Sequence, residues 1–172
     1  MNSITFPNLI NHLREHTPTL YILCGLPYSS KTYITDAIQH AVDIDLVRID
    51  DIFAQHGYDW NTDNLPDADE WDTIFSQAHA EVLTSLSAGR SIMFDSTNHM
   101  HVARQTLHDL AHTAGYPSRV IYIPISSETL WQRYHANIEN PTRSIIPEHL
   151  VQMTIDTLEI PINKEGYEIV SD

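Results

Sequence analysis

The stretch CGLPYSSKTY, residues 24–33, lies between an apolar run and a segment with helical spacing. It differs at one position from the phosphate-binding pattern G-x-x-x-x-G-K-[ST]. Gly25, Lys31 and Thr32 are in place, and Ser30 stands where the pattern has its second glycine. In such a loop several backbone N–H groups point at one phosphate, and the helix that follows presents its positive N-terminus.

The residues on either side of the loop favour this interpretation over an ordinary strand-to-helix turn. Residues 19–24, TLYILC, predict a strand buried on both faces. Residues 31–42 predict a helix. The candidate nucleotide-binding residues are Gly25, Leu26, Pro27, Tyr28, Ser29, Ser30, Lys31 and Thr32. If the backbone at Ser30 needs a positive φ, serine costs about 1–2 kcal/mol there, whereas at negative φ it fits.

Strand and helix patterns alternate along the rest of the chain. Further strands are predicted at 45–49, 91–95, 119–125 and 167–170. Further helices are predicted at 8–16, 69–87, 101–114, 127–138 and 147–158. Such alternation predicts an α/β protein with three layers, in which helices cover both faces of a parallel sheet of about five strands. We find no linker or repeat, so residues 1–172 are predicted to form one domain.

Composition narrows the class of protein. The 172 residues are 42% apolar and 19% charged, as in ordinary globular proteins. We see no apolar run long enough to span a bilayer, no signal peptide, and only one cysteine. These features predict a cytoplasmic protein without a membrane partner. The formal net charge of −14, from 23 acidic and 9 basic residues, disfavours nucleic acid as a partner.

Acidic residues lie at the carboxyl ends of the second and third predicted strands. In parallel α/β folds, ligands bind at the carboxyl ends of the strands. Asp50 is therefore a candidate catalytic residue, although the pair Asp50-Asp51 could also cap a helix. Asp95 is a candidate Mg²⁺ ligand or simply a strand end. Asn98 could contact substrate, but we favour a cap on the helix that begins near His101.

Five segments together resemble the polynucleotide-kinase-like group of P-loop kinases, which is itself similar to zeta-toxin, gluconate and adenylyl-sulfate kinases. The segments are ILCGLPYSSKT (22–32), VRIDDIF (47–53), IMFDSTNHMHVARQTLHDLA (92–111), VIYIPISSETLWQRYHAN (120–137) and NPTRSIIPEHLVQM (140–153). After the loop itself, the sequence Asp95-Ser96-Thr97-Asn98 is the most specific of these features.

The resemblance implies ATP and Mg²⁺ as cofactors. It implies that Lys31 holds the phosphates and that Thr32 binds Mg²⁺, with Asp95 holding the metal through water. Asp50 would be the general base that accepts the proton of an acceptor hydroxyl. This division of roles suits phosphoryl transfer, which depends on positioning and on charge stabilisation.

The resemblance also implies a lid-like segment at about 137–147. Arg133 and Arg143 would then place positive charge over the transferring phosphoryl group. Asn98 and His99 are weaker candidates for substrate contacts.

Two departures from the group favour a small-molecule acceptor. Kinases of polynucleotide 5′-ends have an arginine three residues after the base, where this chain has Phe53, and several lid arginines, where it has only Arg143. A nucleic-acid 5′-hydroxyl kinase and a non-catalytic nucleotide-binding module remain alternatives. The acidic loop at 57–72 is either a solvated loop or an element that selects a cationic acceptor or a basic partner protein.

Overall fold

The computed structural model describes residues 10, 13, 17–62, 64–162 and 168–170. Apart from Ile10 and Leu13, the helix predicted at 8–16 lies outside the described residues. The side chains of 168–170 are not described, and for these residues we give the strand only.

A parallel sheet forms the centre of the protein. Its strands are β1 (Leu20–Cys24), β2 (Asp45–Arg48), β3 (Ile92–Asp95), β4 (Ser118–Tyr122) and the three-residue β5 (Glu168–Val170). Their order across the sheet is β2-β3-β1-β4-β5, and every pairing is parallel. Because β1 lies in the middle, the loop that follows it lies where ligands bind in folds of this class.

Six helices connect or follow the strands within the described part of the chain. They are α1 (Lys31–Ala41), α2 (Ile49–Gln55), α3 (Ala68–Ser87), α4 (His101–Thr113), α5 (Ser127–Glu139) and α6 (Glu148–Asp156). None of the helices described is both long and apolar enough to cross a bilayer.

Both faces of the sheet are buried. Successive side chains of a strand point to opposite faces, so Leu20 and Ile22 pack with α2, α3 and α4 on one side. Tyr21 and Leu23 pack with α1 on the other. The apolar run of β1 is explained by this double burial, and the predicted three-layer α/β fold is confirmed.

The sequence prediction was wrong at the end of β2. The strand stops at Arg48, and Ile49 already begins α2, whose N-cap residue is Arg48. Asp50 therefore lies in the first turn of a helix rather than at a strand end. Asp51 is not the cap, and both carboxylates lie where the helix dipole favours negative charge.

A third apolar cluster joins the 25–32 loop to the last two helices. Leu26 and Tyr28 pack against Leu130 and Tyr134 of α5 and Val151 of α6. The loop is therefore supported from above by α5 and α6 as well as from below by β1.

Candidate nucleotide-binding site

Gly25 is required by close packing rather than by an unusual φ. A Cβ atom at this position would lie 2.7 Å from the carbonyl oxygen of Ile123 and 2.9 Å from Ser29 Oγ. The Gly25 N–H donates to the carbonyl of Thr97 over 2.9 Å, which ties the start of the loop to the segment after β3. Any larger residue would push the loop off the end of β1.

The backbone at Ser30 is left-handed, with φ +75°. Serine is therefore strained here, at a cost of about 1–2 kcal/mol relative to glycine. Tyr28 is also left-handed, with φ +64°. Arg133 reaches both residues: its Nη1 donates to the Tyr28 carbonyl over 2.7 Å and to Ser30 Oγ over 3.0 Å. The arginine thus holds the strained part of the loop from α5.

Lys31 turns back over the loop. Its Nζ donates to the carbonyls of Gly25 (2.9 Å) and Leu26 (2.8 Å). Burial lowers the pKa of Lys31 to about 8; Arg143 adds to this effect, whereas Asp95 and Asp50 oppose it. An ammonium that has lost this much hydration gains most from a phosphate placed against it.

Asp95, the last residue of β3, is only 7% exposed. Burial raises the pKa of its carboxyl above the ordinary value, against the opposing pull of Lys31 and Arg48. Its Oδ2 accepts from Arg48 Nε over 3.2 Å and from Thr35 Oγ1 over 3.3 Å. The carboxylate is therefore fixed at the end of the sheet, beside the start of α1.

Thr32 and Asp95 have the chemistry of Mg²⁺ ligands. Thr32 is exposed in the first turn of α1, and the two bonds described for Asp95 both end on Oδ2. Among the described residues no group of three or more His, Cys, Asp or Glu side chains forms a metal cluster. A hydroxyl and one carboxylate fit Mg²⁺, which keeps several waters and takes substrate phosphates as further ligands.

Asp50 lies next to an aromatic wall. Trp60 Nε1 donates to Asp50 Oδ1 over 3.4 Å, and the Trp60 ring stacks on Phe53 with centroids 4.6 Å apart. Trp71 lies on the same cluster, 5.6 Å from Phe53. Phe53 thus supports an apolar surface beside the carboxylate and supplies no charge for a phosphate-bearing acceptor.

The connection between α5 and α6 is organised by Asn137. Its Oδ1 accepts from the backbone N–H groups of Thr142 (3.0 Å) and Arg143 (3.3 Å), and its Nδ2 donates to the Arg143 carbonyl over 3.1 Å. These bonds fix the turn that carries Arg143. The exposed guanidinium of Arg143 lies over the ring of Tyr28.

Asn98 serves as a brace and not as a helix cap. Its side chain is buried, its φ is +41°, and its Nδ2 donates to the Leu23 carbonyl over 2.7 Å. The N-cap of α4 is Met100, so the cap favoured from the sequence was wrong. His99 lies beside this brace with Nδ1 3.1 Å from Thr97 Oγ1, and burial lowers its pKa.

Positive charge is concentrated at this site in an otherwise acidic protein. The chain has nine Lys and Arg residues, and within the described ranges Lys31, Arg48, Arg133 and Arg143 contact the loop or Asp95. The chain carries a net charge of −14. Such placement indicates an anion-binding site at the end of β1.

Sequence reasoning missed three contributors. Arg48 was read as part of a strand, although an isolated arginine at a strand end, in a chain with few cations, was a usable signal. Asn137, and Asn61, whose Oδ1 accepts from the Ile145 N–H over 2.9 Å, gave no signal, because their roles depend on backbone groups brought near them by the fold.

The fold and the loop are those of a P-loop NTPase. A family model described as an AAA domain, AAA_33, matches residues 20–161, and the chain belongs to this family. No curated protein matches the chain.

Solved structures of two kinases and of a third, nucleotide-bound protein have the same fold. A sugar kinase from Janibacter sp. HTCC2649 superposes with a TM-score of 0.66 at 14% identity, covering 91% of this chain and 84% of that one. A gluconokinase from Sinorhizobium meliloti 1021 superposes with a TM-score of 0.63 at 17% identity, covering 91% of this chain and 84% of that one. Chaetomium thermophilum Kti12, in complex with ADP-AlF3, superposes with a TM-score of 0.64 at 18% identity, covering 89% of this chain and 88% of that one.

A chain of the Pnkp1/Rnl/Hen1 RNA repair complex is also similar, with a TM-score of 0.66 at 24% identity. The match covers 84% of this chain but 45% of the other, so the present chain spans less than half of that protein.

Proposed function

We propose that this protein is an ATP-dependent kinase that transfers the γ-phosphate to a hydroxyl of a small-molecule acceptor. The observation that carries the proposal is the convergence of Lys31, Arg133 and Arg143 on the 25–32 loop of an acidic protein. Mg²⁺, held by Thr32 and through water by Asp95, would supply charge neutralisation at the phosphates.

Each side chain has a role that its position supports. Lys31 exchanges its two loop carbonyls for phosphate oxygens. Arg133 holds the loop in shape, and Arg143 lies on the segment that could bring charge over the γ-phosphate. Asp50 accepts the proton of the acceptor hydroxyl, oriented by the indole N–H of Trp60.

The surroundings of Asp50 support a small acceptor over a nucleic acid. Residues 49–89 include this carboxylate, α2 and the acidic loop, and they contain no Lys or Arg. A 5′-end of DNA or RNA would meet like charge there. The half-buried ring of Trp60, which stacks on the buried Phe53, suits the carbon face of a sugar-like or cyclic alcohol.

Two measurements test the proposal in sequence. A titration with ATP, with and without Mg²⁺, should show nucleotide binding that Lys31→Ala abolishes. A screen of alcohols for acceptor-dependent ADP release should then find turnover. Nucleotide binding with no ADP release for any acceptor would instead favour the non-catalytic module.

The role of Asp50 has a matched control in the same helical turn. Asp50→Asn should lower turnover by a factor of about 10²–10⁴ while nucleotide affinity is kept. Asp51→Asn changes the same charge one residue away and should leave turnover near the wild-type value. Full turnover in Asp50→Asn would remove the assignment of the base.

A further inference from the structure

Arg48 and Asp95 form an ion pair between the ends of two neighbouring strands. They are register partners on β2 and β3, and Nε lies 3.2 Å from Oδ2. Both are largely buried, with side chains 20% and 7% exposed.

The same guanidinium also reaches α1. Its Nη2 donates to Thr35 Oγ1 over 2.8 Å and forms an ion pair with Asp36. Arg48 is therefore held by three groups on two elements, which fixes its charge beside Asp95. Such a geometry suits the planar fork of arginine better than the single ammonium of lysine.

A buried carboxylate needs a cation, and both Lys31 and Arg48 act on Asp95. Lys31 Nζ is bonded to the carbonyls of Gly25 and Leu26. Under the proposed function it holds phosphates instead, so Arg48 is the cation paired directly with the carboxylate. A charge paired with Oδ2 also opposes the approach of a second cation. We propose that Arg48 is the resident counter-ion of Asp95, and that it competes with Mg²⁺ for this carboxylate. It thereby limits how strongly nucleotide binding depends on the metal.

Arg48 is thus a positioning residue that acts through Asp95. The metal part of this inference rests on the proposed nucleotide binding, whereas the counter-ion part does not. The two parts are therefore tested by separate measurements.

Unfolding of the nucleotide-free protein tests the counter-ion. Arg48→Met should lower Tm, because it leaves a buried carboxylate without its cation. Adding Asp95→Asn should recover at least half of that loss, because the uncompensated charge is removed. If the Tm changes of the two single variants simply add in the double variant, the assignment of Arg48 as counter-ion is overturned.

Arg90→Met is the matched control. Arg90 pairs with Asp45 at the opposite end of β2, and it is half exposed. Arg90→Met should lower Tm only slightly. Adding Asp95→Asn should not recover that loss of Tm. An equal recovery in both backgrounds would mean that Asp95→Asn stabilises for an unrelated reason, and would likewise overturn the pairing.

Nucleotide affinity with and without Mg²⁺ tests the competition. The ratio of the two affinities should rise at least about fivefold in Arg48→Met, the lower end of ordinary coupling between sites. It should stay near the wild-type value in Arg48→Lys and Arg90→Met. In the Asp95→Asn background, Arg48→Met should leave this affinity ratio unchanged.

Two outcomes overturn the metal part. Equal ratios in the wild type and in Arg48→Met, with nucleotide bound by both, would overturn it and leave the proposed function standing. No nucleotide binding by the wild type would overturn the proposed function and the metal part together, and the unfolding cycle alone would then decide the counter-ion.

Discussion

The guanidinium carbon of Arg143 lies 3.8 Å from the centroid of the Tyr28 ring. This contact joins the connection between α5 and α6 to the left-handed part of the phosphate loop. Tyr28 is itself held edge-on against Tyr134, with centroids 5.7 Å apart. The ring therefore serves as a platform on which a cation rests beside the loop.

The hydroxyl of Tyr28 is buried and makes no hydrogen bond within the described part of the chain. Tyr28→Phe keeps the ring and removes this group, so we expect a gain in unfolding free energy of about 1 kcal/mol. Chemical denaturation measures it. Tyr33→Phe removes a hydroxyl from a side chain that is 77% exposed, and it should leave the unfolding free energy unchanged. A loss of stability in Tyr28→Phe would show that the hydroxyl has a partner.

Ser30 combines a strained φ with a hydroxyl that binds Arg133. Two substitutions separate these effects. Both Ser30→Ala and Ser30→Gly lose the bond to Arg133; Ser30→Ala keeps the strain, whereas Ser30→Gly relieves it and adds the larger conformational entropy of glycine in the unfolded chain. We expect Ser30→Gly to be more stable than Ser30→Ala by about 0.5–1 kcal/mol. Equal stability, or the reverse order, would contradict a left-handed backbone at this position.

Under the proposed function, Lys31 should make nucleotide binding depend on pH. Burial lowers its pKa from 10.5 to about 8, so the free folded protein loses this proton above pH 8 while the unfolded chain keeps it. The penalty of the buried charge on folding is present in full below pH 8 and is relieved between about pH 8 and 10.5. Phosphate binding needs the ammonium.

Nucleotide affinity should therefore be constant from pH 7 to about 8 and fall at higher pH, with proton uptake on binding. Calorimetric titrations in buffers of different ionisation enthalpy measure that uptake directly. An affinity that stays flat to pH 9.5, with no proton taken up, would rule out a depressed pKa in the free protein.

Part of the acidic loop is structural. Asp67 Oδ1 accepts from the Glu70 N–H over 2.9 Å, and Glu70 Oε2 accepts from the Asp67 N–H over 2.8 Å. This capping box begins α3. Asp67→Ala should cost about 1 kcal/mol of unfolding free energy.

Asp72→Ala removes the same charge from an exposed site inside the helix, and it should stay within about 0.5 kcal/mol of the wild type. Thermal and chemical unfolding of both variants measure the difference. Equal losses would show that the charge of the loop matters and the cap does not.

The fold was predictable because β1 needs apolar residues on both faces and because the glycines after α3 and α4 end those helices. The start of α2 was not predictable, since Ile49 is an equally good strand residue and only tertiary contacts decide between the two. The left-handed φ at Ser30 was also out of reach, because it depends on the path of the whole loop.

The site residues also divide into those predictable from local sequence and those that depend on tertiary contacts. The loop and Asp95 follow from local patterns. The ion pair of Arg48, the turn held by Asn137 and the brace made by Asn98 join residues that are far apart in sequence or bind backbone groups, so no local pattern specifies the partners of these side chains.

One hydrogen bond crosses from the acidic loop to the connection after α5. The N–H of Ile145 donates to Asn61 Oδ1 over 2.9 Å, and Asn61 follows directly after Trp60. If that connection moves and this bond is kept, the movement also displaces the loop segment that carries the Trp60 indole beside Asp50. Under the proposed function, a movement of this connection driven by nucleotide would give the acceptor pocket its final shape only after nucleotide has entered. Acceptors are therefore best sought with a non-hydrolysable nucleotide already in place, in a fixed order of addition.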